Sequence, residues 1–221
     1  MPDVFRSRSR SSSNVSPANA SPSTQTNNPQ PVLDFTKRID ELKKSYSGRD
    51  GNGNRKHYVP ESDLDRYWTK PKVNEISQAY TPHLTIKFDL VKKRCLKLFS
   101  ILVYVDRVKY FDDLQSLKIS DAQLPVVEDN LPQALRSPAY DEVLQVLYKH
   151  QWLFCPLALD YALLTDLHLE TDHILPFHDE EKIKDGDAAQ IFKVKVNKTC
   201  NRLEGQVSIS QTESPIPPEY S

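Results

Sequence analysis

The hydrophobic period changes along this chain, and that change restricts the possible folds more than any other feature of the sequence. Up to about residue 165, apolar residues recur every three or four positions, as in helices that bury one face. From Leu167 the period becomes two, most clearly in residues 191–196, IFKVKV. Helices therefore precede strands instead of alternating with them. This order predicts an α+β fold, with a mainly helical amino-terminal region followed by a small antiparallel β unit.

The sequence divides into four segments on this basis. Residues 1–31 are rich in Ser, Pro and Arg and contain too few apolar side chains to form a core, which predicts a disordered tail. Residues 32–165 form the predicted helical region and residues 166–212 the predicted strands. Residues 213–221 are again interpreted as a disordered tail.

The first predicted helix begins at Leu33. The glycine- and asparagine-rich residues 48–54 end it, because these residue types favour turns and left-handed backbone conformations. Its predicted buried face consists of Leu33, Ile39, Leu42 and Tyr46.

The strongest helical pattern covers residues 84–106. Apolar side chains recur there at helical spacing and lysines flank them, which predicts one long helix buried on one face. The last residues of this segment, SILVYV, also favour strands, so the final turn is ambiguous.

The rest of the helical region contains two more predicted helices separated by a loop. A short helix is expected over residues 111–117, and the three prolines within residues 121–138 indicate a loop. A longer helix begins at Pro138, with acidic residues in its first turn. Its large side chains Trp152 and Phe154 are interpreted as part of the core.

Composition argues against several classes of partner and location. No run of about 20 apolar residues is present, so no membrane association is expected. The amino terminus lacks the apolar stretch of a secretory signal, which favours a cytoplasmic or nuclear location. Residues 34–72 carry ten basic and seven acidic side chains, too small an excess to predict nucleic-acid binding. Three widely spaced cysteines, Cys95, Cys155 and Cys200, are interpreted as free thiols.

Two other arrangements could in principle carry chemistry. A group of His and Asp residues follows no known metal-binding spacing and is interpreted as an ordinary polar segment: His168, Asp172, His173, His178 and Asp179.

Cys155 and His150 are conceivable as a nucleophile and its base. Pro156 and the apolar surroundings favour core packing instead.

Residues 183–194, IKDGDAAQIFKV, can be compared with the glycine-rich loop GxGxxGxV of protein kinases. Glycines in that loop allow the backbone to approach nucleotide phosphates. Gly186 stands at the second glycine position, Ala189 at the third and Ile191 at the valine position. The candidate nucleotide-binding residues are therefore Ile183, Gly186, Ala189 and Ile191. The alternative is an ordinary β-hairpin with Gly186 in its turn.

Several other short motifs occur in a characteristic order. They are residues 102–105 (LVYV), 119–125 (ISDAQLP), 150–154 (HQWLF), 173–177 (HILPF) and 191–196 (IFKVKV). With this order, residues 71–196 resemble a group of fungal protein-kinase-like proteins. In that group a helical region leads into an ILPF segment, a glycine-rich loop and a VYKV strand. The resemblance implies that the β unit corresponds to the first strands of a kinase N-lobe, whose complete form would use ATP, magnesium and a Ser/Thr substrate.

The sequence departs from that family where catalysis requires specific residues. No HRD or DFG tripeptide is present, and no lysine follows Lys198, where the strand lysine is expected. Lys184 stands at the first glycine position, and Asp185 and Asp187 flank Gly186, where they would repel phosphate.

We therefore expect no catalytic residues, no cofactor and no metal in this chain. By resemblance it is a truncated protein-kinase-like protein, or pseudokinase, with a degenerate glycine-rich loop. It would not transfer phosphate by itself, and its role would be regulatory or vestigial, through an unidentified protein partner. The alternative is a helical protein–protein interaction module without nucleotide binding.

Overall fold

The computed structural model describes residues 28–80, 84, 86–127, 131–160, 171–185 and 190–203. This part of the chain contains seven α-helices and two antiparallel two-stranded sheets. The mixed α+β composition predicted from the sequence is thus confirmed.

The helices are α1 Gln30–Lys43, α2 Glu61–Tyr67, α3 Lys70–Ala79, α4 Phe88–Arg94, α5 Leu96–Tyr104, α6 Phe111–Ser116 and α7 Asp141–Phe154. The strands are β1 Ser47–Arg49, β2 Arg55–His57, β3 Phe177–Asp185 and β4 Gln190–Val196. Short 3-10 turns occur between α5 and α7.

Helix α5 forms the centre of the main hydrophobic core. Its residues from Leu98 to Val103 are all buried, and α1, α2, α4 and α7 pack against it. An aromatic row crosses this core, in which the ring of Trp68 lies 4.7 Å from Phe35 and 4.8 Å from Phe99. The Trp68 indole N–H donates to the hydroxyl of Ser100 at 2.8 Å. The indole therefore buries both its apolar surface and a satisfied polar group.

Helix α1 begins earlier than predicted, and its buried face shares only Ile39 and Leu42 with the predicted one, since Tyr46 lies beyond the end of the helix at Lys43. Its buried residues are Val32, Phe35, Ile39 and Leu42. Leu33 was predicted to belong to this face but is 47 % exposed, because it lies about one residue out of phase with the buried stripe. Ile39 and Leu42 are confirmed as core residues.

The prediction of a single long helix over residues 84–106 is wrong. Helix α4 ends at Arg94, Cys95 has a non-helical backbone (φ −139°, ψ 27°), and α5 begins at Leu96. A residue from a later part of the chain stabilises the start of α5 after this break. The carboxylate of Asp121 accepts hydrogen bonds from the backbone N–H groups of Lys97 (3.0 Å) and Leu98 (2.9 Å), and so caps the start of α5.

The next three predicted elements are confirmed. Helix α6 covers most of residues 111–117, and helix α7 follows a 3-10 turn at Pro138–Tyr140. The segment between them has irregular structure with 3-10 turns in its described residues. Phe154 is fully buried, whereas Trp152 is only half-buried.

Residues 48–54 were expected to end α1, but the helix already ends at Lys43. These residues form most of a β-hairpin instead, which the sequence interpretation did not predict. Gly48 belongs to β1, which pairs with β2 in an antiparallel hairpin. The turn is organised by Asp50, whose carboxylate accepts from the backbone N–H groups of Asn52 (3.0 Å) and Asn54 (2.8 Å). The helical region therefore contains a small sheet of its own.

The β1–β2 hairpin contacts the later strands through Arg49 and Leu175. Arg49 N–H donates to the Leu175 carbonyl at 3.0 Å, and Leu175 N–H donates to the Arg49 carbonyl at 2.7 Å. A small second core of Tyr58, Ile174 and Cys200 lies nearby. The segment leading into β3 is thus tied to the amino-terminal half of the chain.

Candidate functional site

The β3–β4 hairpin contains the residues that the sequence singled out as a degenerate glycine-rich loop. Its strands pair with Phe177 opposite Val196, Lys182 opposite Phe192, and Lys184 opposite Ile191. The register shifts twice, between His178 and Glu181 and between Lys182 and Lys184. Such irregularities bend a strand and redirect its side chains.

One face of the hairpin is charged and held by cross-strand ion pairs. Lys195 lies 3.0 Å from Asp179, and Lys193 lies 3.6 Å from Glu181. All four side chains are well exposed, so each pair contributes little to the free energy of unfolding. The pairs help to fix the register, because like charges would otherwise oppose each other across the strands.

The end of the hairpin next to residues 186–189 exposes three large apolar side chains. Ile183 is 63 % exposed, Ile191 52 % and Phe192 46 %. We call these three residues the hairpin patch. Together with Leu33 they are the large apolar side chains that are exposed in the described residues.

The structure places two of the four predicted loop residues and leaves two undescribed. Ile183 and Ile191 lie near each other on the paired strands and are both exposed. Gly186 and Ala189 lie outside the described residues. The strand that alternation predicted over residues 191–196 is confirmed as β4, which pairs with β3 in an antiparallel hairpin.

A cavity of about 540 Å³ lies between the two hairpins, among the described residues. Its basic side chains are Arg49, Arg55 and Lys182, and Phe192 from the hairpin patch forms part of its wall. Two acids, Asp179 and Glu180, also line it. Each acid is already engaged, since Glu180 pairs with Arg49 and Asp179 with Lys195.

That cavity lacks the groups that group transfer requires. Its described lining contains no cysteine, and the described residues contain no group of three or more His, Cys, Asp or Glu side chains suited to a metal ion. The lining includes Ser47, whose hydroxyl accepts a hydrogen bond from Arg55 at 3.2 Å. The arrangement can hold an anionic or apolar group, but no lining residue is set up as a nucleophile with an adjacent base.

Two of the motifs that carry the family resemblance have structural roles in this chain. Asp121, from the ISDAQLP motif, caps α5. Gln151, from the HQWLF motif, is fully buried and exchanges two hydrogen bonds with the backbone of Val126. Both residues fasten the irregular segment after α6 to helices of the core. Both residues lie in motifs that the sequence analysis noted, but a short polar motif does not predict which backbone groups its side chains will hydrogen-bond.

The other candidate residues do not form a reactive site. Burial raises the pKa of the Cys155 thiol to about 12 and that of Cys95 to about 11, so both remain protonated at neutral pH. His150 packs against the ring of Tyr104, and burial lowers its pKa. The charged groups near Cys155 are instead Lys97, Asp121 and Glu61.

The group of His and Asp residues near the β unit, which the sequence indicates is an ordinary polar segment, is only partly described. His168 lies outside the described residues, and these contain no group of three or more His, Cys, Asp or Glu side chains suited to a metal ion. All three cysteines are free and buried, which agrees with the sequence interpretation. Among the described helices, none combines the length and apolar character needed to cross a bilayer.

Comparison with known proteins adds no assignment to this picture. Neither protein families, curated proteins nor solved structures yield a match to this chain.

Proposed function

We propose that this chain is a protein-kinase-like protein that does not transfer phosphate itself and acts by binding further polypeptide through its β3–β4 hairpin. The order of the short motifs in residues 71–196 supports the kinase-like part of the proposal. The observation that carries the binding part is the exposure of the hairpin patch, from 46 % at Phe192 to 63 % at Ile183.

Isolated two-stranded hairpins are marginal in water, because too little apolar surface is buried between two strands. Here β4 pairs with β3 on one side, and the described residues provide no strand on its other side. Ile191 and Phe192, both on β4, stay exposed. Because Ile191 and Phe192 follow one another on β4, their side chains point to opposite faces of the hairpin. Additional polypeptide that paired with this edge of β4 and packed on both faces would bury them and complete the sheet, as the remaining strands of a kinase N-lobe do.

Covalent footprinting would test this proposal directly. Hydroxyl radicals should label Ile183, Ile191 and Phe192 strongly in the purified 221-residue chain. The same three side chains should be protected in protein isolated under native conditions from the cells that make it, because the covering polypeptide is then present. Mass spectrometry of the labelled peptides measures both states.

Leu33 provides an internal control for that comparison. It is 47 % exposed, as much as Phe192, but lies on α1. Its labelling should be the same in both preparations. Equal labelling of the hairpin patch in both preparations would contradict the proposal.

A second prediction concerns nucleotide. We expect that MgATP does not raise the melting temperature of the chain, because Lys184 replaces a loop glycine and two aspartates flank Gly186 in the sequence. Differential scanning fluorimetry measures the effect, with magnesium tripolyphosphate as the control for non-specific anion binding. A rise specific to MgATP that Gly186→Trp abolishes would show instead that the loop binds nucleotide.

The alternative, a helical interaction module, has less support. The helices that it would use are already occupied, since the apolar face of α1 and nearly all of α5 pack inside the core. On the described helices, Leu33 is the large apolar side chain that remains exposed. A single leucine provides little surface for a partner.

A further inference from the structure

A second cavity lies between α7 and described residues of the neighbouring segments 126–127, 131–136 and 171–172. Its volume is about 660 Å³, which falls within the range of small-molecule sites. We call it the α7 cleft. One wall is fixed by Gln151, whose side chain accepts from Val126 N–H at 2.7 Å and donates to the Val126 carbonyl at 2.8 Å. Because the N–H and the carbonyl of Val126 are both hydrogen-bonded to Gln151, this wall of the cleft is already formed.

The opposite wall is aromatic. Tyr148 and Trp152 are four residues apart on α7, so their side chains lie on the same face of the helix. Both line the cleft and both are half-buried. Leu144, one turn earlier, is almost fully buried and forms an apolar floor. The ring of Trp152 also packs against His173, with 4.8 Å between centroids, which restricts its movement.

The charges around the α7 cleft favour a cation. Among its described lining residues, Asp141 and Asp172 are acidic and Arg136 is basic, which leaves an excess of one negative charge. The faces of the Tyr148 and Trp152 rings carry negative electrostatic potential and attract cations as well.

We propose that the α7 cleft binds a small aromatic cation, with its ring against Tyr148 and Trp152 and its positive charge toward Asp141 and Asp172. The aromatic part of the ligand replaces water on the apolar floor and walls. The charge selects cations over neutral molecules of the same shape. This site is separate from the hairpin patch and does not depend on the function proposed for it.

The test uses N-methylquinolinium as a fixed cation and quinoline, which is neutral at pH 7.5, as its counterpart of similar shape. Both are titrated into the full chain while tryptophan fluorescence is recorded. The chain has two tryptophans, and Trp68 is only 1 % exposed, so direct quenching reports on Trp152. We expect saturable binding of N-methylquinolinium, at least about fivefold tighter than that of quinoline.

Variants at Gln145 test whether the affinity for the cation follows the charge of the cleft. This residue lines the cleft and is exposed, so its replacement should not disturb folding. Gln145→Glu should tighten N-methylquinolinium binding by about fourfold and Gln145→Arg should weaken it by about fourfold, while quinoline binding changes little. Asp89→Asn, an exposed acid on α4, controls for the general effect of charge.

Three results would overturn this proposal. They are equal affinity for the two probes, no saturable binding at millimolar concentration, and N-methylquinolinium affinity that is unchanged between Gln145→Glu and Gln145→Arg. Unchanged melting temperatures for the variants, measured in parallel, exclude unfolding as the cause of any loss.

Discussion

Replacing Phe99 by alanine should lower the free energy of unfolding by about 3–5 kcal/mol. Phe99 lies on the central helix α5 and is fully buried. Its ring contacts Trp68 and Phe111, with centroids 4.8 Å and 5.4 Å away. Alanine removes the buried ring from both contacts and leaves a cavity in a core that can only partly collapse, because helices pack on several sides of α5.

Urea denaturation followed by circular dichroism measures this change. The matched control is Leu33→Ala, because Leu33 is also a large apolar residue on a helix but is 47 % exposed. Its effect should stay within about 0.5 kcal/mol. A loss below about 1 kcal/mol for Phe99→Ala would mean that the aromatic row does not pack as described.

The helices that the sequence predicts well are those whose burial follows from local periodicity. Helix α7 and the short helix α6 appear where apolar spacing and helix-start signals agree. For α1 the helix was expected but its buried face was rotated, since Val32 and Phe35, not Leu33, face the core. Periodicity predicts that a helix exists more reliably than it predicts the orientation of the helix.

The break at Cys95 could not be predicted from local pattern. The apolar spacing continues without interruption across it, so residues 84–106 look like one helix. The start of α5 is capped by a carboxylate more than twenty positions later, that of Asp121, which accepts from the N–H groups of Lys97 and Leu98. A contact between residues so far apart in sequence leaves no trace in hydrophobic period.

The candidate site shows the same division between local and long-range information. Two-residue alternation predicted a strand over residues 191–196, and β4 forms there and pairs with β3. The exposure of Ile191 and Phe192 was not predictable, because alternation indicates that a face is apolar but not what covers it. The contact between β1 and Leu175 could not be predicted from the sequence either, because it joins Arg49 to a residue 126 positions later.

That docking leads to the second large effect, which is expected at Gly48. A Cβ atom at this position would lie 3.0 Å from the carbonyl carbon of Leu175, closer still to its oxygen, and 3.2 Å from a methyl group of Ile174. The obstacle is backbone, which cannot rotate away as a side-chain tip does. Gly48→Ala should therefore force β1 away from Leu175 and weaken the two hydrogen bonds between Arg49 and Leu175.

We expect Gly48→Ala to lower the free energy of unfolding by about 2–4 kcal/mol, from the strain of overpacking and the loss of two backbone hydrogen bonds. Gly53→Ala is the matched control, because a Cβ there meets nothing within 4 Å. Its backbone φ of 79° is unfavourable for alanine, so it should still cost about 1 kcal/mol.

Amide hydrogen exchange distinguishes a local from a global effect of Gly48→Ala. If β1 positions the segment that leads into β3, the Arg49 and Leu175 amides should lose protection in this variant, whereas Leu102 on α5 should lose only what the global change requires. Equal loss at all three positions would mean that the contact between β1 and Leu175 opens only with global unfolding, so that Gly48→Ala has no separate local effect. Leu175 lies two residues before β3. Selective loss of protection at Arg49 and Leu175 would therefore show that the absence of a side chain at Gly48 allows β1 to position the β3–β4 hairpin.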